Sequence, residues 1–81
     1  MEENNDGEVL TLRDLIRRSG MTQTVFAEKV GVSVAMLHNY SNGSKEPTLT
    51  PFLNMCRELR TTPVELAKAL GKDVTGVPND E

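Results

Sequence analysis

Apolar positions along the chain gather in short clusters at three- and four-residue spacing, and hydroxyl residues and glycines mark the cluster boundaries. Thr11 precedes Leu12, Leu15 and Ile16, with Asp14 placed three residues on for an approximate capping box, and Gly20 stops the run. Thr22 and Gly31 enclose Phe26, Ala27 and Val30; Ser33 and Gly43 enclose Leu37 and Tyr40. Pro47 breaks the chain. Thr48 then opens a fourth run whose inner side is Phe52, Met55, Cys56 and Leu59, with Pro51 in the first turn, where a missing N–H costs little. Thr62-Pro63-Val64-Glu65 supplies a cap, a proline at the first helical position and a glutamate at the third; Leu66 and Leu70 face inward, and Gly71 closes the segment. No stretch alternates with period two, so strands are not expected. The pattern predicts an all-α fold, a compact bundle of five helices, each roughly two to four turns long. Helices this short are marginal alone and must support one another through a shared core.

The link between the second and third helices is Gly31-Val32-Ser33. Gly31 permits a left-handed cap, Val32 drops into the core, and Ser33 starts the next helix. A turn this tight makes the two helices cross steeply instead of running antiparallel, which is the geometry of a helix-turn-helix.

Composition narrows the function. With 81 residues, 37% hydrophobic and no Trp, the chain makes one domain with one modest core and no volume for a deep substrate pocket. The net charge of −3 argues against a polyanionic partner until its distribution is read. Residues 9–72 carry nine bases and five acids, while Glu2, Glu3, Asp6, Glu8, Asp73, Asp80 and Glu81 face no Lys or Arg within their own flanks. The division expected is an acidic flexible arm over 1–8, a mildly basic domain over 9–71 and an acidic flexible tail over 72–81. A basic body of this size is by itself weak evidence for nucleic acid. Apolar runs are too short to span a membrane, and the polar, acidic start lacks the basic and apolar stretches of a secretory signal. Cys56 is the single cysteine, so an internal disulfide is impossible and a reducing compartment is expected.

Gln23, Ala27, Gly31, Val32, Leu37 and Asn42-Gly43, followed by Pro47 and Leu49, resemble the lambdoid phage repressor and Cro family and the wider group of XRE-type regulators. The resemblance runs from Leu12 to about Leu70. No single element is diagnostic; the joint spacing of caps, stops and motif residues is specific. The resemblance implies a sequence-specific duplex DNA-binding transcriptional regulator, a repressor, that reads the major groove with its third helix. It carries base reading onto Ser33, Val34, Ala35, His38 and Asn39, and phosphate contacts onto Thr22, Gln23, Asn42, Ser44, Lys45 and Arg17. On a helical wheel with Leu37 inward, Ala35, His38, Asn39 and Asn42 point outward. Asn39 has the two-ended amide that matches an adenine edge, and Val34 and Ala35 suit thymine methyls. Gln23 stands at a helix N-terminus, whose free N–H groups can meet a phosphate. Relatives also imply a homodimer on a palindromic operator, because one short helix reads too few base pairs. Pairing is expected through Pro63 to Leu70 and the tail. A cytoplasmic protein of bacterial or phage origin, with no cofactor, is implied.

The chain departs from many relatives in two places: Ile16 stands where an Arg is common, and Ser41 where a Glu is common. Losing both together strands no charge, although one phosphate contact goes with them. The apolar reading positions point to modest base discrimination or to reading of DNA shape. The alternative function on the same fold is an antitoxin-like or adaptor module that binds a protein partner, for which the acidic flanks suit a partner-binding extension. His38 serves equally as a protonation-tuned phosphate contact or as an ordinary surface histidine. Arg13, Arg17 and Arg18 include at least one merely solvated side chain. Cys56 and the methionines read as packing residues, since no third catalytic partner and no His/Cys cluster accompany them; no enzymatic activity is expected.

Overall fold

The computed structural model describes residues 10–78. The acidic arm over 1–8 and residues 79–81 of the acidic tail lie outside the described residues. Five helices follow one another: α1 (Leu12–Arg18), α2 (Gln23–Val30), α3 (Val34–Asn42), α4 (Leu49–Leu59) and α5 (Pro63–Ala69). Strands are absent among the described residues.

Local chemistry explains where most of the helices begin. The Thr11 hydroxyl accepts from Asp14 N at 3.1 Å and the Asp14 carboxylate accepts from Thr11 N at 3.0 Å, a complete capping box. Thr22, Ser33 and Thr62 accept from Val25 N, Met36 N and Glu65 N in the same way. Thr48 precedes α4 in extended conformation but makes no side-chain cap bond. Pro51 at its third position removes one donor that such a cap would otherwise serve.

Four of the five exits share one device. At Gly20, Gly31 and Gly71 the backbone turns left-handed, and the N–H of the following residue reaches back to the carbonyl five before it: Met21 to Ile16, Val32 to Ala27, Lys72 to Ala67. The end of α4 does the same without glycine. Arg60 takes φ 55°, ψ 48°, and Thr61 N reaches Cys56 O at 3.0 Å. Only Arg60 and Thr61 separate the end of α4 from the Thr62 cap of α5.

The core is built from Leu12 and Ile16 of α1, Phe26, Ala27 and Val30 of α2, Leu37 and Tyr40 of α3, Met55 and Cys56 of α4, and Leu66 and Leu70 from α5 and its end. Leu15, Phe52, Leu59 and Val32 pack against it half-buried. No polar or charged residue is buried among the described residues, so the core carries no desolvated charge to compensate. Ile16, at the position where relatives place an Arg, is 3% exposed and belongs wholly to this core. Helix α2 is the hub: it packs on α1, α3 and α4, and α5 closes the bundle against α1 and α4. Because α3 leans chiefly on α2, its opposite side is left open.

Candidate nucleic-acid interface

The α2–α3 junction sets the interface. Gly31 at φ 90° ends α2, Val32 tucks half-buried against the core, and Ser33 caps α3 with its hydroxyl 3.0 Å from Met36 N. Leu37 and Tyr40 fasten the inner side of α3. Ser33, Ala35, His38 and Asn42 are exposed, whereas Val34 and Asn39 are half-buried. Val34 also packs against the core, so only part of its surface faces out.

Two hydrogen-bonded groups organise the outer side. His38 Nε2 lies 3.1 Å from Gln23 Oε1. The contact ties the N-terminus of α2 to the middle of α3, with Nε2 as the donor in the tautomer that satisfies an amide oxygen. At the far end of α3, Ser44 Oγ lies 2.6 Å from Asn42 Oδ1 and 3.2 Å from Asn39 Oδ1. Ser44 N donates to Asn42 Oδ1 at 2.9 Å, and Lys45 N to Asn39 O at 3.2 Å. The hydroxyl has one proton and gives it mainly to the nearer Asn42. The loop is thereby folded back onto the helix that precedes it, with the Lys45 side chain exposed.

Beside the start of α2, a shallow depression of about 200 Å³ is lined by Arg13, Ile16, Arg17, Met21, Thr22 and Gln23. Arg17 is exposed and lies 3.5 Å from Asp14, an open pair that leaves its guanidinium reachable. Bonding to the Thr11 backbone and hydroxyl, then the fields of Arg17 and Arg13, hold Asp14 below the usual aspartate range. Of the residues expected to touch DNA, Gln23 and His38 are thus joined, as are Asn39, Asn42 and Ser44. Thr22 and Arg17 border one depression, and Val34, Ala35 and Ser33 stand at the start of α3 without a mutual bond. The resemblance implied that Gln23 can support a base-reading residue but did not single out His38, fifteen residues on, and the sequence carried no sign of an ion pair between Glu46 and Lys72.

Chemically the surface offers neutral donors and acceptors, apolar patches and cations; burial pushes the Cys56 thiol up, away from the reactive thiolate. Among the described residues, no group of three His, Cys, Asp or Glu side chains is placed to hold a metal ion. No described helix is long and apolar enough to cross a membrane.

A packed helix pair joined by a three-residue turn, with a glycine-ended first member, a capped second member and an exposed outer side, has the features of a helix-turn-helix. The Helix-turn-helix family model matches residues 12–66, about two thirds of the chain, and the chain belongs to that family, in agreement with the XRE-type resemblance. No curated protein and no solved structure matches the chain. The family is one of DNA-binding domains, and this protein is a DNA-binding helix-turn-helix regulator.

Proposed function

We propose that the protein is a sequence-specific transcriptional repressor that lays α3 in the major groove of duplex DNA and acts as a homodimer on a palindromic operator, in the cytoplasm. The observation that carries this reading is the division of α3: Leu37 and Tyr40 are buried, while Ala35, His38 and the end of the helix at Asn42 are open. Base reading falls to Ser33, Val34, Ala35, His38 and Asn39. Thr22, Gln23, Arg17, Asn42, Ser44 and Lys45 flank them at both ends and suit the two phosphate backbones that border a groove. Asn39, whose oxygen lies 3.2 Å from the Ser44 hydroxyl, keeps its amide N–H₂ for an acceptor on a base edge.

Support for pairing comes from apolar surface away from α3. A hollow of about 290 Å³ is lined by Phe52, Pro63, Val64, Ala67, Val74 and Val77 with Lys72 and Asp73 at its edge, and Val77 is 51% exposed. The same hollow suits the alternative, an antitoxin-like or adaptor module.

Selection of bound sequences from a random duplex library tests the proposal. The expected result is a two-fold symmetric site with half-sites about 10 base pairs apart or a multiple of that, two protomers by light scattering, and affinity that falls steeply with salt. No retained duplex at low salt overturns the DNA reading. One protomer on a site without symmetry overturns the dimer alone.

A further inference from the structure

Between Lys29 and Arg57, a span that covers α3, its following loop and most of α4, the chain has a single acidic residue, Glu46. It sits next to Lys45, the exposed cation of the loop. Left to itself, its carboxylate would stand beside the phosphates that Lys45 is proposed to grip. The fold brings Lys72 to it from the other end of the domain: Nζ pairs with Glu46 Oε2 across 26 residues of sequence. Both ends are held by backbone. Lys72 N donates to Ala67 O at 2.9 Å in the left-handed exit of α5, and Lys45 N donates to Asn39 O. Beneath the pair lies a hollow of about 230 Å³ lined by Pro47, Phe52, Ala67 and Leu70, so the pair bridges the loop to the α5 end of the bundle. The bond to Lys72 and its charge hold Glu46 below the usual glutamate range, so the carboxylate stays ionised.

We infer that Lys72 is a positioning residue for DNA binding: it draws Glu46 toward the α5 end and neutralises it, which keeps the loop around Lys45 free of negative charge toward phosphate. This rests on the DNA-binding reading of α3 and its loop. Lys72 acts through Glu46 and touches no DNA itself. An exposed pair contributes little to stability; its consequence here is where one negative charge stands within a Debye length of the phosphates.

The test measures affinity for the library-selected duplex at two salt concentrations with wild type, Lys72→Ala, Glu46→Gln and the double variant. Lys72→Ala is expected to weaken binding by roughly two- to five-fold at low salt, less at high salt, with base preference unchanged. Glu46→Gln is expected to bind at least as well as wild type, and Lys72→Ala to have no effect in the Glu46→Gln background. An equal loss in both backgrounds overturns the inference, because Lys72 would then act on DNA by its own charge. So does a Lys72→Ala variant that binds like wild type, or a Glu46→Gln variant that binds more weakly. Melting curves come first, and Lys72→Gln repeats the comparison should the alanine variant fail to fold. Absence of binding by the wild type strikes the DNA reading instead, so the two failures are distinguishable.

Discussion

Gly31 is the residue on which the α2–α3 crossing turns, and what its replacement costs follows from its conformation. Its φ of 90° and ψ of 28° lie in the left-handed region, and a Cβ built there meets nothing within 4 Å. Space is therefore not at issue; only the local backbone is. An L-residue in this region costs about 1–2 kcal/mol, and the loss of glycine's freedom in the unfolded chain returns about 0.4–1 kcal/mol. Gly31→Ala should thus destabilise by about 1 kcal/mol, which lowers the Tm of a domain this size by about 4–8 °C. Asn tolerates the left-handed region better than Ala, so Gly31→Asn should cost less. D-alanine at 31, introduced by chemical ligation, prefers positive φ. It should stabilise by about the 0.4–1 kcal/mol of the unfolded-state effect. Urea melts of the three variants measure the series. If L-alanine costs far more than about 2 kcal/mol, the methyl group meets an obstacle and the open-space reading is wrong. If L-alanine is neutral, the conformational argument is wrong.

Arg60→Gly should raise stability by up to about 1 kcal/mol, since Arg60 holds φ 55° without glycine's freedom; an unchanged urea midpoint would contradict the strain assigned to it. Asp14 has a folded pKa below the ordinary 3.8, so its contribution is fully present above that value and is lost as pH falls through the folded pKa. Asp14→Ala should therefore lose less stability than wild type as pH falls from about 5 to about 2 (through the ordinary carboxylate value and below it), read by melts across that range; parallel curves would exclude the capping carboxylate. Lys45→Ala should weaken binding to all duplexes alike and lower the salt slope by about one unit. Asn39→Ala should cost about 1–3 kcal/mol on the selected site and little on random duplex, and an equal loss on every sequence would take base reading away from Asn39.

The five helices were legible because their boundaries are written in short-range chemistry. A hydroxyl that caps three residues on, or a glycine that turns left-handed, acts within one turn and needs no knowledge of the rest of the chain. The inner positions Phe26, Leu37 and Leu66 follow from periodicity for the same reason. What the pattern did not disclose depends on how helices cross. Gln23 meets His38, and Glu46 meets Lys72, only after α2, α3 and α5 have been docked. Arg60 gave no composition cue, since the left-handed exit there is imposed by the shortness of the link to Thr62-Pro63. Asn39 pointed outward on a helical wheel, yet the returning loop half-covers it, because Ser44 folds back to both asparagines. A wheel places a side chain on one helix and knows nothing of the loop that comes next.

An acidic protein that binds a polyanion is a contradiction only if charge is averaged over the chain. Beyond about 8–10 Å in physiological salt, exposed charges are largely screened, so phosphates respond to what lies within that distance. From the start of α3 to the end of its loop, the sequence places one cation, Lys45, and one carboxylate, Glu46, which Lys72 occupies, with Glu28 and Lys29 as a neutral pair of neighbours before it. The remaining acids of the domain are Asp14, Glu58 and Glu65. Asp14 is committed to Thr11 and Arg17. Segregation of charge thus lets the flanks carry the negative excess that sets the net charge, while the reading surface keeps a local balance compatible with DNA. The cost of that arrangement, on the proposed docking of α3, is a modest electrostatic grip, since the sequence places few cations near α3 and its loop. In the proposed function, two copies acting on one site supply the affinity that a single surface lacks, which is why the dimer and the salt slope are the two measurements on which that proposal most directly depends.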